Sequence, residues 1–255
     1  MAVKFFYDNV IDSDATFTFT SATNSLSTYL YDNNYDTRLV SSGSNDATPE
    51  VWTIEFLSAK TIDKILVANH NIKSGELEYW TGAAWASFTS AVSWSANSAT
   101  NSYFAVTQVS TTKIRLTINT TITVNDEKRV GQIRAMKQIG EVETNPSEVN
   151  WKLKKKKRIH EVGTGGVVQV VFGEKYSASY RFTDASNADI TLFNSLNINH
   201  NPFFIYPGGG DTTITDWGFR IQDMWLINYI SDFKPNLKSN IFGLGYVIEI
   251  TVAEV

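Results

Sequence analysis

Two tryptophans on either side of a short glycine-containing segment are the residues of this sequence best suited to bind a ligand. Trp80 and Trp85 flank residues 81–84 in LEYWTGAAW, a pattern that predicts a β-hairpin with an aromatic residue at each shoulder. An indole ring offers a large apolar face on which a sugar ring can stack. The same two rings could instead pack on each other across the hairpin, because cross-strand aromatic pairs stabilise sheets.

A second group of polar side chains lies in residues 31–38, YDNNYDTR. Its Asn and Asp content predicts a structured loop, because these side chains bond to neighbouring backbone groups. Asp32, Asp36 and Arg38 are candidate ligand contacts, and a plain connection is the alternative. Asp32, Asp36 and Asp46 could offer oxygens to Ca²⁺, but the spacing does not match the helical Ca²⁺ loop, so we predict no metal site.

The sequence contains no recognisable catalytic motif. His70, His160 and His200 are far apart, and cysteine is absent, so neither zinc-ligand spacing nor a thiol nucleophile is present. The glycine-rich segments 163–166 and 208–210 lack the lysine and hydroxyl residue of a phosphate-binding loop. We therefore predict no enzymatic activity and no cofactor.

One dense run of basic residues interrupts a chain whose formal net charge is −4, and it comprises Lys154, Lys155, Lys156, Lys157 and Arg158. Such a run can bind nucleic acid or direct nuclear import. It adjoins a strand-like segment, however, so an exposed or edge strand on which lysine hinders stray pairing is the favoured interpretation. A contact with an acidic neighbouring subunit is a third. We predict no binding of nucleic acid.

The composition predicts a mainly β protein. Hydrophobic residues make up 42% and aromatic residues 13%, and Thr, Ser and Asn are abundant, which favours strands and turns. Residues 51–71 hold two apolar runs, the first with Trp52, Ile54 and Phe56 on one face, and residues 58–60 predict a turn between them. No segment has the pattern of a signal peptide or a membrane span, so we expect folding in a cytosol.

The length suits two hydrophobic cores. Apolar periodicity is lost over residues 141–150, which include an Asn-Pro pair typical of turns. We therefore predict an N-terminal β-sandwich in residues 1–145 and a smaller α+β domain in residues 150–255, with a β-hairpin and one helix near 186–197. In that helix Ile190, Phe193 and Leu196 are spaced for one face.

Several strand motifs of the first part share a pattern with a known family. Trp52-Thr53-Ile54-Glu55-Phe56, Ile62-Asp63-Lys64-Ile65, Trp85, Thr112-Lys113-Ile114-Arg115-Leu116 and the loop at residues 32–36 resemble the discoidin (coagulation factor F5/8 type C) family. The resemblance implies a galactose-binding-like jelly roll, a fold that serves sugars, lipids and proteins. Ser58 replaces a glycine frequent in that family, and the family's cysteines are absent, so its binding loops are not transferred.

The order of elements, a sandwich followed by a hairpin, a helix and the segment PFFIYPG at residues 202–208, resembles tail proteins of tailed bacteriophages. This resemblance implies a virion structural protein, related to tail-tube or baseplate folds and made in the host bacterial cytoplasm. It would bind copies of itself and other virion proteins through its C-terminal domain. The candidate assembly contacts are Lys154, Lys155, Lys156, Lys157, Arg158, Gly163, Gly165 and Gly166. The alternative is a carbohydrate-binding adhesin that uses Asp32, Asp36, Arg38, Trp80 and Trp85 for host attachment.

Overall fold

The computed structural model describes residues 3–7, 9–22, 26–32, 34, 37–43, 46–142, 148–161, 167–199, 203–206, 225–229, 236–240 and 243–254. These residues form a mainly β fold with an N-terminal sandwich and, later in the chain, a β-hairpin and one α-helix, which confirms the predicted fold class. The contacts divide the chain into two units. The sandwich unit comprises residues 9–138, and the C-terminal unit combines the first strand with the described residues after 138.

The first strand, β1 (Val3–Tyr7), is followed by the elements of the sandwich unit. They are β2 (Thr16–Phe19), a 3₁₀ turn (Ser27–Leu30), β3 (Leu39–Val40), β4 (Glu50–Ala68), β5 (Ile72–Trp80), β6 (Trp85–Trp94), β7 (Ser102–Thr121), β8 (Arg129–Val130) and β9 (Gln132–Met136). The main sheet has the order β2-β4-β7-β5-β6, and β9 also pairs with β4. Strands β3 and β8 form a separate two-stranded sheet.

Residues 58–60 do not form the predicted turn, because β4 passes through them as one long strand that is bent by a bulge. Glu55 pairs with Lys113 and Lys60 pairs with Thr111, so four residues of β4 lie opposite one residue of β7. Such a bulge bends the strand that carries the extra residues and lets it pass from one layer of a sandwich to the other. The first half of β4 pairs with β2, and the second half pairs with β9.

The core of the sandwich lies on the faces that strand alternation predicts. Trp52, Ile54 and Phe56 of β4 are buried, and so are Ile114, Leu116 and Ile118 of β7. Phe19 of β2 meets the Trp52 ring edge-on, with ring centroids 5.8 Å apart. Burial of each large apolar side chain contributes about 1.5–3 kcal/mol to stability, so this alternation fixes which face of the sheet is left outside.

The C-terminal unit contains β1, β10 (Gln138–Val142), β11 (Glu148–Glu161), β12 (Val167–Ala185), α1 (Asn187–Asn199), β13 (Phe203–Tyr206), β14 (Trp225–Tyr229), β15 (Asn236–Asn240) and β16 (Gly243–Glu254). Its sheet has the order β10-β1-β13-β14-β16-β12-β11, and β15 pairs with β16. The antiparallel β11–β12 ladder is the predicted hairpin. Its connection, with Gly163, Gly165 and Gly166, lies outside the described residues.

Strand β1 lies in this sheet and not in the sandwich, where the predicted domain of residues 1–145 would have it. It pairs with β13 from Lys4 opposite Tyr206 to Tyr7 opposite Phe203. The pairing joins two short apolar strands that are almost 200 residues apart, and such long-range pairing leaves no mark in local sequence patterns.

The sheet of the C-terminal unit must be strongly bent, because its two end strands are close in sequence. From Val142 to Glu148 the chain advances six residues, which reach about 20 Å when extended. Seven strands side by side, at 4.7–4.9 Å per neighbour, would span about 29 Å in a flat sheet. The short connection therefore requires curvature that brings the ends of β10 and β11 closer together.

Helix α1 begins at a capping box. Asp189 Oδ2 accepts from the N–H of Ser186 at 2.7 Å, and Ser186 Oγ accepts from the N–H of Asp189 at 3.2 Å. Phe193 and Leu196 are buried as predicted, and Ile190 is half-buried. No helix in the described part of the chain has the length and apolar character needed to cross a membrane.

Candidate functional site

The main sheet of the sandwich unit turns one face away from the core. Because Ile114 and Leu116 face the core, the alternating residues of β7 face outward. Arg115 lies opposite Glu78 of β5, and Lys113 lies opposite Glu55 of β4. We call this surface, which is opposite the core and carries the charged residues of three neighbouring strands, the outer face.

A tight hairpin between β5 and β6 closes one end of the outer face. The N–H of Thr81 donates to the carbonyl of Ala84 at 2.9 Å, and Thr81 Oγ1 accepts from the N–H of Ala84 at 3.1 Å. Gly82 adopts a φ of 100°, a conformation that favours glycine. These bonds hold the two strands in register up to the last pair before the turn.

Trp80 and Trp85 form that last pair, and their rings pack edge-to-face with centroids 5.4 Å apart and an interplanar angle of 66°. Both rings remain partly exposed. The backbone of Trp80 is also fixed from the neighbouring strand, because its N–H donates to Thr111 Oγ1 at 3.2 Å. The packing interpretation of the two tryptophans is therefore confirmed, and it leaves ring surface in contact with solvent.

Arg115 joins the aromatic pair to a carboxylate. Its guanidinium carbon lies 4.4 Å from the centroid of the Trp85 ring, in cation–π geometry. Glu78 Oε2 accepts from Arg115 Nε at 2.9 Å and from Nη2 at 2.6 Å. Two donors on one carboxylate oxygen fix the position of the Arg115 side chain relative to Glu78. We call Trp80, Trp85, Glu78 and Arg115 the tryptophan cluster.

The tryptophan cluster combines apolar ring surface with fixed hydrogen-bonding groups. Indole rings bind apolar ring faces, the guanidinium donates hydrogen bonds and the carboxylate accepts them. A few placed polar groups beside aromatic surface are typical of small-ligand sites. The arrangement is suited to bind a ring that has both an apolar face and hydroxyl groups.

The Asp32 carboxylate is engaged within its own loop. Oδ1 accepts from the N–H of Asn34 at 2.9 Å and from Gln132 Nε2 at 2.6 Å, and Oδ2 accepts from Thr37 Oγ1 at 2.8 Å. The predicted structured loop is thus present in the described residues. Its acidic side chain ties the loop to β9 through Gln132.

The structure does not bring this loop to the tryptophans. Gln132 pairs with Ala68 at the end of β4, whereas Thr111, which holds Trp80, pairs with Lys60. The eight residue steps from Lys60 to Ala68 span about 26 Å of strand. Arg38 is exposed and directly precedes β3, in the separate two-stranded sheet. Asp36 lies outside the described residues.

Asp46 anchors a loop as well. Burial acts to raise the pKa of its carboxyl, but hydrogen bonds from the N–H of Asn125 and from Thr121 outweigh burial and hold the pKa below its usual value. Oδ2 accepts from Asn125 at 3.1 Å, and Oδ1 accepts from Thr121 Oγ1 at 3.0 Å. Across the residues that the structure describes, no three acidic or histidine side chains are grouped so that they could hold a metal ion.

His70 belongs to a buried hydrogen-bond network with Trp94 and Ser102. Its Nδ1 accepts from the N–H of Ile72 at 3.1 Å, so the neutral ring carries its proton on Nε2 and donates to Ser102 Oγ at 2.9 Å. Trp94 Nε1 donates to the same oxygen at 2.8 Å. Burial lowers the pKa of His70 to about 4. With Nε2 protonated, His70 cannot act as the base for Ser102, and the network holds strand ends together.

The basic run, Lys154 to Arg158, lies on β11 at one end of the sheet order of the C-terminal unit. Within the described residues β11 pairs on one side only, with β12, which agrees with the edge-strand interpretation. The ladder shifts register between Lys156 and Lys157. A bulge at this point, like lysine itself, hinders uncontrolled edge pairing.

Glu78 and Arg115 were not among the predicted site residues. The alternation of β7 already places Arg115 on the outer face, because Ile114 and Leu116 face inward. The pairing of β7 with β5, which brings Arg115 to Glu78 and Trp85, is not encoded in any local pattern. Only the register of the folded sheet shows the cluster.

Neither a protein-family model nor a curated protein matches the sequence. Three solved structures illustrate what the chain is similar to. The chitosan-binding module 1 of a chitosanase/glucanase from Paenibacillus sp. IK-5 is 11% identical, with a TM-score of 0.44 over 51% of this chain and 99% of that one. The family 32 carbohydrate-binding module of Clostridium perfringens NanJ, solved with galactose, is 14% identical, with a TM-score of 0.43 over 51% and 98%.

The third structure, CpGH89CBM32-5 from Clostridium perfringens in complex with GalNAc-β-1,3-galactose, is 13% identical, with a TM-score of 0.40 over 49% of this chain and 97% of that one. All three likenesses cover about half of this chain. At this distance they do not bear on what the chain binds, so its function has to be argued from the tryptophan cluster itself.

Proposed function

We propose that the sandwich unit binds carbohydrate through the tryptophan cluster. The observation that carries this proposal is the pair of partly exposed rings of Trp80 and Trp85 beside the fixed Arg115–Glu78 ion pair. A pyranose ring has an apolar face that suits an indole and hydroxyl groups that suit a guanidinium and a carboxylate.

The cluster is held in place before any ligand arrives. The hairpin bonds of Thr81, the bond from Trp80 to Thr111 and the Glu78–Arg115 pair each restrict a member of the cluster. A preorganised site loses less conformational entropy on binding, and this loss commonly amounts to about 0.5–1.5 kcal/mol for each side chain that is immobilised. Hydroxyl residues continue the outer face on both sides, namely Thr16, Thr18, Thr53, Ser87 and Thr117.

A glycan array followed by calorimetry tests this proposal. Trp85→Ala removes the ring on which Arg115 stacks, so we expect at least about a tenfold loss of affinity for any glycan that the full chain binds. Val124→Ala is the matched control, because it removes an exposed apolar side chain elsewhere on the sandwich unit and should leave the affinity unchanged. Circular dichroism would verify that both variants are folded.

The proposal fails if the full chain binds no glycan on the array. It also fails if Trp85→Ala and Val124→Ala bind equally well, because binding would then not depend on the cluster.

A second function, assembly of the C-terminal unit into a larger structure such as a virion component, is supported by β11. This 14-residue strand pairs on one side only within the described residues, and the free side of such an edge is a template for another chain. Its basic run offers attraction to an acidic neighbour.

Sedimentation of the full chain over a range of concentrations and salt tests assembly. We expect association that weakens as salt increases and that is lost when Lys154 and Lys156 are changed to Glu. A monomer at every concentration would rule assembly by this route out.

A further inference from the structure

We infer that the tryptophan cluster selects uncharged sugars over acidic ones, and that Glu78 sets this selectivity by holding Arg115 over Trp85. The inference rests on the proposed carbohydrate binding and names its ligand class. It follows from the charges of the outer face and from the geometry of one ion pair.

Around the tryptophan cluster, the outer face has no unpaired positive charge. On this face, the three rows of cross-strand neighbours that begin at Trp80, Glu78 and Glu76 of β5 contain three carboxylates and two cations. These residues are Glu55, Glu76, Glu78, Lys113 and Arg115. Both cations are paired, because Lys113 Nζ lies 2.9 Å from Glu55 Oε1 and Arg115 Nη2 lies 2.6 Å from Glu78 Oε2. One negative charge is therefore in excess, and a sugar carboxylate would meet repulsion.

Arg115 can bind a sugar carboxylate only beside Glu78. Its Nε and Nη2 both donate to the same oxygen of Glu78, so the guanidinium edge that remains for a second carboxylate is formed by Nη1 and by Nη2, which already binds Glu78. One face of the guanidinium lies against Trp85. A ligand carboxylate would therefore share Arg115 with a fixed carboxylate of the protein, and the two like charges would repel each other at this distance.

A hydroxyl group meets no such obstacle. Among the described contacts, Glu78 Oε1 and Arg115 Nη1 take part in no hydrogen bond, so one acceptor and one donor remain at the rim of the aromatic pair. A sugar hydroxyl both donates and accepts, and it can use these two groups without disturbing the ion pair. The cluster thus accepts a neutral ring and keeps Arg115 compensated.

The experiment compares sugars that differ only in charge. Oligomers of galactose, glucose and N-acetylglucosamine and their 6-carboxylate counterparts are titrated into the full chain. We expect at least one neutral oligomer to bind in a manner that depends on Trp85, and its carboxylate counterpart to bind at least about tenfold more weakly. A tenfold difference in affinity corresponds to about 1.4 kcal/mol.

Glu78→Gln frees Arg115 for a ligand carboxylate, so the ratio of neutral to acidic affinity should fall by at least about tenfold. Glu76→Gln is the matched control. It removes the same charge from the same strand and face, but Glu76 is exposed and has no described partner, so the ratio should shift by less than about threefold. Glu78→Asp keeps the charge and should retain the selectivity for neutral sugars.

The outcomes separate this inference from the proposed function. Acidic oligomers that bind as tightly as neutral ones, and still depend on Trp85, would overturn the selectivity and leave carbohydrate binding intact. Equal shifts for Glu78→Gln and Glu76→Gln would overturn the positioning role of Glu78. If no oligomer of either kind binds in a manner that depends on Trp85, the proposed function itself is lost.

Discussion

At the scale of single residues, side chains that looked alike in the sequence have different surroundings in the structure. The carboxylates of Asp32 and Asp46 accept hydrogen bonds that fix their loops to neighbouring strands, whereas Glu78 uses one oxygen to hold Arg115. A carboxylate whose oxygens are all engaged in this way stabilises a loop, and one that keeps an oxygen without a partner can bind a ligand. Sequence alone does not distinguish the two cases, because both are acidic residues near turns or strands.

His70 makes the stability of the sandwich unit sensitive to pH. Its pKa is about 4 in the folded chain and 6.5 in the unfolded chain, so between these values the unfolded state binds more protons. The free energy of unfolding should therefore fall as the pH decreases from 6.5 to 4, by up to about 3 kcal/mol.

Chemical denaturation at pH 7, 5.5 and 4.5 measures this loss. In His70→Gln the same decrease should be largely absent, since no group at position 70 titrates in that window. An equally steep decrease in the variant would assign the effect to other groups.

At the scale of elements, alternation of apolar and polar residues predicted the faces of β4 and β7 correctly, and the spacing of Phe193 and Leu196 predicted the buried side of α1. The bend of β4 was not predicted. Ser58 and Ala59 are small residues that suit a turn and a bulge equally well, and only the pairing with β7 decides between them. The tryptophan cluster was likewise predictable only in part, because Trp80 and Trp85 are neighbours along one hairpin whereas Arg115 comes from another strand.

Gly75, three residues before Glu78, shows how closely β5 and β7 approach each other. A Cβ at this position would lie 2.4 Å from the carbonyl oxygen of Thr117, so Gly75→Ala must push the two strands apart. We expect a loss of about 1–3 kcal/mol in the free energy of unfolding, measured by urea denaturation.

Ser87→Ala, an exposed change on β6, is the control for this experiment and should stay within about 0.5 kcal/mol of the unchanged chain. Equal stability of the two variants would show that the strands adjust without cost.

At the scale of the whole molecule, the sequence predicted a two-part organisation with a boundary between residues 145 and 150, and the contacts instead divide the chain near residue 138 and assign β1 to the C-terminal unit. Composition and periodicity find where a core ends along the chain, but they do not reveal which distant strand completes a sheet. Residues 9–138 are thus enclosed, in chain order, between strands of the other unit.

This enclosure sets an order of events during synthesis. Strand β1 leaves the ribosome about 131 residues before β10, the first of its two neighbours to be synthesised, which at roughly 5–20 residues per second is a delay of about 7–26 s. All strands of the sandwich unit emerge within that interval and can complete their own pairing first. The segment VKFFY meanwhile lacks both of its native neighbours, so the nascent chain exposes an unpaired apolar strand while the sandwich unit is synthesised.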